Sequence, residues 1–287
     1  MVDKASIKLF KVLPSEYDLV IAVSFGLFIP KSILQNIPWS INVHPSLLPQ
    51  YRGPAPIHHA IYNGDKVTGI TLQTLSTEAF DKGLVFEQTP PIPIGEYETL
   101  DELWNRLAEI GAKLLVDVVE NRKYVNPKPI ETSTEESYAP SLQIDRKVAD
   151  WNEITAEQLV RLSRLGSVGT GILPLHRGKR KVSIGLRGLR LRNKAVKELE
   201  KIEPGNYFLE RQPEGGKLKM VVCSKDGGSL WVEEVIVEGK PISGLDFVKS
   251  SKDRFIEQRF VAWAENPNNS SETGDAGTEA KDISQVG

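Results

Sequence analysis

The stretch Asn42-Val-His-Pro-Ser-Leu-Leu-Pro49 decides the fold, because it predicts a strand that ends in a polar site. Asn42 and His44 are two residues apart, so on an extended strand both side chains point to the same face. Pro45 and Pro49 stop the strand just beyond them. We therefore expect an amide and an imidazole to converge on one spot.

This convergence suits acyl transfer, because an Asn amide and a protonated His can both stabilise the oxyanion that forms when an amine attacks a carbonyl. Asp81, in the turn Phe80-Asp-Lys-Gly83, would complete the set by raising the pKa of the imidazole or by taking a proton from the amine. The alternative is that Asn42 caps a turn, His44 is a core histidine and Asp81 is an ordinary loop acid.

The residues around this stretch predict an α/β domain. Leu19 to Val23 is a continuous apolar run typical of a buried parallel strand, and residues 25–30 form the loop at its carboxyl end, where ligands bind in such sheets. A short helix is expected over residues 56–62. A capping box at Thr99 starts a long helix that continues to about Glu120, with apolar residues at helical spacing.

The second half of the chain predicts a smaller, mostly β domain. Residues 1–126 form the α/β domain, and residues 127–150 form a polar, proline-bearing linker without periodicity. A capping box at Thr155 starts a helix that closes at Gly166. Short alternating strands follow, including one over residues 230–237, and fit an OB-like barrel within residues 151–263. Residues 264–287 are predicted to be disordered.

Composition sets the outer limits. The chain has 287 residues and a formal net charge of -2, which is typical of an ordinary soluble protein. Its single cysteine, Cys223, excludes an intramolecular disulfide and a cysteine-rich zinc site, and we expect it to pack in a core. His58 and His59 are adjacent on the predicted helix, so we interpret them as surface or packing residues rather than metal ligands. No metal and no membrane span are predicted.

The run from Ile41 to Pro56, the strand that begins at Gly69 and the Asp81-Lys-Gly83 turn together resemble the folate-dependent formyltransferases, and most closely those that act on methionyl-tRNA. The long Asn-x-His-x-Ser-Leu-Leu-Pro signature is highly specific, whereas the Asp-x-Gly turn alone is not. The resemblance continues, more weakly, to about residue 262. It implies a partial doubly wound, Rossmann-like formyltransferase domain followed by an OB-like barrel.

The resemblance also implies the site residues. Asn42, His44 and Asp81 take the place of the family's catalytic trio. The formyl donor is 10-formyltetrahydrofolate, a co-substrate. The residues expected on its side of the site are Phe25, Gly26, Leu27, Ile29, Ser46 and Gly83.

A block of basic residues without one acid among them lies at the start of the predicted barrel. Such a block attracts phosphate, and its lack of aromatic residues favours recognition of a folded RNA by shape. The alternative is a solvated pair of basic strands. With the resemblance, methionyl-initiator-tRNA is the expected partner, and Arg52 could reach its acceptor end. The residues assigned to tRNA are Arg52, Arg177, Lys179, Arg180, Lys181, Arg187, Arg190 and Arg192.

The sequence is compatible with three functions. The favoured one is formyl transfer to methionyl-initiator-tRNA, by a monomer in the mitochondrial matrix rather than in a bacterial cytoplasm. The second is formyl transfer to an amino sugar nucleotide or another small amine. The third is an inactive RNA-binding remnant, because the family's opening strand, glycine turn and helix are absent before Asp18. We expect a chain shortened in this way to expose an apolar sheet edge and to be poorly soluble or inactive.

Overall fold

The computed structural model describes residues 12–14, 16–141, 150–166, 168–174, 181–192, 203–212, 216–251 and 260. The tail predicted to be disordered lies outside these residues. Within them, no helix is both long and apolar enough to cross a lipid bilayer.

A mixed four-stranded sheet carries the site. Its strands are β1 (Leu19–Val23), β2 (Trp39–His44), β4 (Thr71–Gln73) and β5 (Val85–Gln88), in that spatial order. β1 and β2 are parallel, whereas β4 runs antiparallel to both of its neighbours. A second, two-stranded sheet pairs β3 (Val67–Thr68) with β6 (Ile92–Pro93). The predicted parallel pair is confirmed, but the described sheet is mixed rather than doubly wound.

β1 lies at the edge of this sheet. Ala22 is buried, but Ile21 is 41% and Val23 is 56% exposed. The prediction that the whole apolar run is buried is therefore wrong for the described structure. A continuous apolar run is typical of a strand with both faces covered, and here most of that cover is absent among the described residues.

Three helices accompany the sheet: α1 (Lys31–Leu34), α2 (Pro56–Asn63) and α3 (Leu100–Glu120). α3 begins as predicted, because the Thr99 side chain accepts from the Glu102 backbone and the Glu102 side chain accepts from the Thr99 backbone. Its face toward the sheet is apolar, with Leu103, Leu107 and Val118 buried. The residues that the helical periodicity selected therefore fix this helix on the sheet.

The second half begins with α4 (Ala156–Arg164), capped by Thr155 as predicted, and ends with α5 (Gly244–Ser251). Between them lie two antiparallel four-stranded sheets. One has the order β10 (Tyr207–Arg211), β11 (Leu218–Cys223), β12 (Ser229–Val232), β9 (Arg190–Leu191). The other has the order β14 (Lys240–Ser243), β13 (Glu234–Val237), β8 (Lys181–Arg187), β7 (Val168–Pro174).

One prediction for these strands is wrong: residues 230–237 are not a single strand, because β12 ends at Val232 and β13 starts at Glu234 in the other sheet. Trp151, Met220 and Phe247 share one hydrophobic core that both sheets contact. Cys223 is buried as expected, and burial raises the pKa of its thiol to about 11. The described strands are therefore organised around a single core.

The two halves contact each other directly. The Arg164 guanidinium donates to the backbone carbonyls of Glu98, at 2.8 Å, and Gly95, at 3.0 Å. Arg161 of the same helix donates to the Asn63 carbonyl at 3.2 Å. α4 is thus held against α2 and the loop before α3 by charge-assisted hydrogen bonds, which are stronger than neutral ones.

The predicted linker is described up to residue 141, and part of it packs on the first half. We call residues 134–140 the crossing segment. The Arg52 backbone N–H donates to the Ser137 carbonyl at 2.9 Å, and the Ala139 N–H donates to the Arg52 carbonyl at 2.7 Å. Ala139 is buried. The crossing segment therefore lies beside the turn that follows β2, and it forms part of the site's wall.

Candidate active site

Asn42, His44 and Asp81 meet at the end of β2. The Asn42 Nδ2 atom donates to Asp81 Oδ1 at 2.9 Å, and His44 Nδ1 lies 3.4 Å from the same oxygen. Asn42 and His44 share a face of the strand because they are two residues apart, as the sequence predicts. His44 is buried, and the side chain of Asp81 is only 9% exposed. The structure therefore brings the three predicted catalytic residues together.

Asp81 is the acceptor around which the site is built. Besides Asn42, the Gln73 amide donates to Oδ1 at 3.0 Å and the Gly53 backbone N–H donates to Oδ2 at 2.8 Å. Burial by itself raises the pKa of this carboxyl group. The hydrogen bond and the charge of His44, with the Gly53 and Gln73 hydrogen bonds, outweigh burial and lower the pKa below its ordinary value. Asp81 is therefore an anion at neutral pH.

The imidazole of His44 is held at both nitrogens. Its Nε2 atom lies 2.9 Å from the backbone carbonyl oxygen of Tyr51, and its Nδ1 atom faces Asp81. A carbonyl oxygen can only accept, so Nε2 carries a proton. Both ring nitrogens therefore face acceptors, which fixes the orientation of the ring. His44 thus stands at a fixed position on the site's wall.

The backbone around Asp81 is tightly specified. Asp81 adopts a φ of 53°, in the left-handed region that non-glycine residues rarely enter. A Cβ atom on Gly83 would lie 1.7 Å from the Thr74 carbonyl oxygen, so no side chain fits there. Gly83 is required by the close approach of the β4 end to the catalytic turn. The prediction that it contacts the folate has no support here, because Gly83 does not line the cavity described next.

A cavity of about 900 Å³ opens next to the trio. The loop after β1 forms one wall, and Phe25, Gly26, Leu27 and Ile29 line it as predicted for the folate side. Ser46, which was assigned to the same side, does not line it. The Ser46 hydroxyl donates instead to the Gln50 carbonyl at 2.6 Å, and the residue is buried. Its role is to fix the turn after β2.

Some residues of the cavity wall were not predicted as site residues from the sequence. Gln73 pairs with Asn42 in the register of β4 and β2, so a strand alignment would have placed it opposite the trio. His58 lines the cavity, and its buried Nδ1 atom has no hydrogen-bond partner among the described residues. His58 is therefore a residue of the cavity wall. Trp104 of α3 also reaches the wall.

Some of the predicted tRNA-binding residues lie outside the described part of the chain, and others have contacts that the structure describes. Arg177, Lys179 and Arg180 lie outside the described residues, and Lys181 is described only as the first residue of β8. Arg52 is not a free surface cation, because its guanidinium donates to the Asp81 backbone carbonyl and its side chain is only 15% exposed.

The remaining basic residues have partners that the sequence could not reveal. Arg187 pairs with Glu234 of the adjacent strand, at 2.8 Å from Nε. Arg192 pairs with Glu210 at 2.5 Å and is only 6% exposed. Arg190 lies over the Tyr97 ring, 4.8 Å from its centre. The block has no acid in sequence, but acids from other strands of the same sheets pair with part of it.

The chain resembles known formyltransferases in sequence. Residues 7–119 match the model of the formyl transferase family. The human mitochondrial methionyl-tRNA formyltransferase is 32% identical over 242 residues, which are 81% of this chain and 59% of the relative. The methionyl-tRNA formyltransferase of a Streptococcus agalactiae strain is 36% identical over 137 residues, which are 47% of this chain and 43% of the relative. The chain thus spans less than two thirds of the length of these relatives.

Solved structures support the same fold. A crystal structure of HypX from Aquifex aeolicus in complex with tetrahydrofolic acid matches 82% of this chain and 39% of that chain, with a TM-score of 0.57 and 18% identity. An N-formyltransferase from Helicobacter canadensis with folinic acid and dTDP-3-aminofucose covers 74% of this chain and 72% of that chain, with a TM-score of 0.52 and 17% identity. The resemblance inferred from the residues is confirmed. Through residues 7–119, the chain is similar to the formyl transferase family.

Proposed function

We propose that this protein transfers a formyl group from 10-formyltetrahydrofolate to the α-amine of methionyl-initiator-tRNA, in a step that prepares translation initiation. The observation that carries the proposal is the convergence of Asn42, His44 and Asp81 on the wall of a 900 Å³ cavity. The relatives named methionyl-tRNA formyltransferase support this acceptor over the alternatives. The structure with bound tetrahydrofolic acid supports a folate donor.

The chemistry follows from the charges in the site. The amine nitrogen attacks the formyl carbon, a new C–N bond forms, and the bond from that carbon to N10 of the folate breaks. The second amide hydrogen of Asn42 and the positive charge of His44 stabilise the oxyanion in between. The proton lost by the amine ends on N10 of the leaving tetrahydrofolate.

In this scheme Asp81 orients rather than accepts the proton. Its lowered pKa makes it a weak base, and three donors other than His44 already occupy its oxygens. Its negative charge holds the imidazolium and the Asn42 amide in register. Asp81 therefore positions Asn42 and His44 and does not take the proton.

Each half of the chain has its own task in the proposal. The pterin ring lies along the loop that carries Phe25, Gly26, Leu27 and Ile29, which lines the cavity. Residues 151–263 form an OB-like domain that binds tRNA. The two sheets around one core support that domain, and Arg187 and Arg190 are its exposed or ring-stacked cations. Arg192 is better explained as a core ion pair.

The proposal also includes the cellular compartment and the oligomeric state. We favour the mitochondrial matrix, because relatives from human and yeast are named as mitochondrial, although bacterial relatives match as well. We expect a monomer. Ion pairs partly neutralise the basic block. A small amine therefore remains the second candidate acceptor, because the basic block was the argument against a small substrate.

The test is formyl incorporation from 10-formyltetrahydrofolate into methionyl-tRNA, compared between this chain and a version extended by the in-frame upstream residues. Activity in both supports the proposal, and activity in the extended version alone makes this chain an incomplete form of the enzyme. An amino sugar nucleotide serves as the competing acceptor, and Lys123→Ala, which changes an exposed ion-paired residue just after α3, is the control variant. Formylation of the sugar alone, or of neither acceptor, would overturn the proposal.

A further inference from the structure

The carbonyl oxygen that faces His44 belongs to a residue in a disfavoured backbone conformation. Tyr51 lies in the turn after β2, and its oxygen is 2.9 Å from His44 Nε2. The φ angle of Tyr51 is 61°, in the left-handed region that residues with a side chain rarely adopt. Such a conformation persists only where the contacts around it hold it in place. The contacts of Tyr51 therefore bear on the position of the His44 ring.

The Tyr51 side chain is anchored at its far end. Its hydroxyl donates to Asp65 Oδ2 at 2.7 Å and accepts from the Asn63 amide at 2.8 Å. Tyr51 is only 7% exposed, and burial, together with the hydrogen bond and the charge of Asp65, raises the pKa of its hydroxyl to about 12. The hydroxyl therefore keeps its proton at neutral pH and is a fixed donor to Asp65.

The residues that hold the hydroxyl are themselves fixed to the end of α2. The Asp65 backbone N–H donates to the Ala60 carbonyl at 3.0 Å, and Asn63 is the last residue of this helix. The Asn63 carbonyl accepts from the Arg161 guanidinium of α4 at 3.2 Å. Hydrogen bonds from both halves of the chain thus hold the helix end against which the Tyr51 hydroxyl is anchored.

The crossing segment fixes the backbone of Tyr51 from the other side. The Tyr51 N–H donates to the Ser137 hydroxyl oxygen at 2.9 Å. The next residue, Arg52, makes two backbone hydrogen bonds to the crossing segment, at 2.9 Å and 2.7 Å. The N–H, the hydroxyl and the carbonyl oxygen of Tyr51 thus each have a partner, and the partner of the carbonyl oxygen is His44.

We propose that Tyr51 is a positioning residue for His44 and that Asp65 anchors it. This inference rests on the proposed function, in which His44 stabilises the oxyanion. The fixed carbonyl oxygen of Tyr51 keeps a proton on His44 Nε2 and turns Nδ1 toward Asp81. Neither Tyr51 nor Asp65 lines the 900 Å³ cavity, so their effect on turnover passes through the imidazole.

Tyr51→Phe tests this inference, because it keeps the ring and removes only the hydroxyl. In the formylation assay kcat should fall about tenfold, while KM for 10-formyltetrahydrofolate stays within a factor of about two, because no contact to the donor changes. Asp65→Asn should lower kcat about threefold. The double variant should lose no more than Tyr51→Phe alone, since both changes act on one hydrogen bond. Tyr17→Phe, which changes an exposed tyrosine before β1, is the matched control and should alter neither constant.

A chemical probe reads the His44 ring without relying on turnover. Diethyl pyrocarbonate acylates imidazole nitrogens that carry no proton, and trypsin releases His44 in a peptide of residues 32–52, apart from His58 and His59 in residues 53–66. Tyr51→Phe should speed the modification of His44 about fivefold, because the ring leaves its two acceptors for part of the time. The peptide of residues 53–66 is the internal reference and should react at an unchanged rate.

Ser137→Ala gives a second measurement from the other side of Tyr51. It removes the acceptor of the Tyr51 N–H and should speed the modification of His44 about threefold. Ser137→Thr keeps a hydroxyl and should restore the rate of the unchanged chain.

Three results would overturn the role of Tyr51. They are an unchanged rate of His44 modification in both Tyr51→Phe and Ser137→Ala, an equal acceleration in both peptides, and additive losses of kcat in the double variant. An equal acceleration would mean that the hydroxyl only supports the fold. Failure of the proposed function gives a different pattern, in which the unchanged chain does not formylate methionyl-tRNA while His44 modification still responds to Tyr51→Phe.

Discussion

The exchange Asp81→Asn tests the central feature of the site, which is a buried carboxylate that collects several donors. The side chain keeps its shape, but its charge is lost and one acceptor oxygen becomes an NH₂ group. The new amide group can take two orientations. In the more favourable one, its remaining oxygen faces the Asn42 and Gln73 amides. The new NH₂ group then opposes the Gly53 N–H, which donates to the carboxylate at 2.8 Å.

The free-energy change can be worked from these contacts. One hydrogen bond to a charged group is lost, which costs about 1.5–3 kcal/mol, and the other bonds become neutral-acceptor bonds that are weaker by about 0.5–1 kcal/mol each. We therefore expect Asp81→Asn to lower the free energy of unfolding by about 3 kcal/mol at neutral pH. Turnover should fall by about a thousandfold, because His44 and Asn42 lose the group that orients them.

The dependence on pH gives a second signature. The pKa of Asp81 is lower in the folded protein than its ordinary value of 3.8. Its stabilising contribution is therefore complete above that value and is lost as the pH falls through the folded pKa. The stability difference between the unchanged protein and Asp81→Asn should stay constant from pH 7 to about pH 5 and shrink in more acidic solution.

Urea unfolding followed by tryptophan fluorescence measures both quantities, because Trp39 on β2 and Trp104 on the cavity wall report on this half of the chain. Asp18→Asn, an exposed carboxylate before β1, is the control and should leave the unfolding midpoint unchanged. A destabilisation by Asp81→Asn below about 1 kcal/mol, or a difference that persists unchanged below the ordinary pKa of a carboxylate, would refute the reasoning.

Three further outcomes are expected. His44→Asn should abolish turnover and leave tRNA affinity intact in a filter-binding assay; unchanged turnover would remove His44 from the catalytic set. Gly83→Ala should cost about 3 kcal/mol in urea unfolding, because its Cβ meets the Thr74 carbonyl, whereas Gly26→Ala, with open space around it, should keep stability and weaken folinic acid binding. Arg192→Ala should destabilise the protein by about 3 kcal/mol and leave the salt dependence of tRNA binding unaltered, since its side chain is buried in an ion pair.

The local pattern predicted the elements that depend on near neighbours in the chain. The capping boxes at Thr99 and Thr155 start helices where expected, and the two-residue spacing of Asn42 and His44 gives them a common face. Asp81, the third residue of the predicted trio, also lies beside them. These predictions succeeded because capping and strand alternation involve only residues close in sequence.

The sequence did not reveal contacts between residues far apart in the chain. Ser46 and Gly83 belong to the family signature, but their neighbours in space give them structural roles. Arg192 stands in a run without acids, and its partner Glu210 comes from another strand of the same sheet. His58 lines the cavity because α2 presents it there. Strand register and helix orientation decide such contacts, and one-dimensional spacing carries neither.

The crossing segment has a consequence for engineering. Its backbone is hydrogen-bonded to Arg52, and Glu136 and Tyr138 line a cleft beside the catalytic turn. A chimaera that joins this α/β domain to the carboxyl-terminal half of a relative would therefore carry different cleft residues if the junction is placed before residue 134. A junction after residue 141 would keep the native cleft residues. Substrate preference in such hybrids should follow the position of the junction as well as the domain that is exchanged.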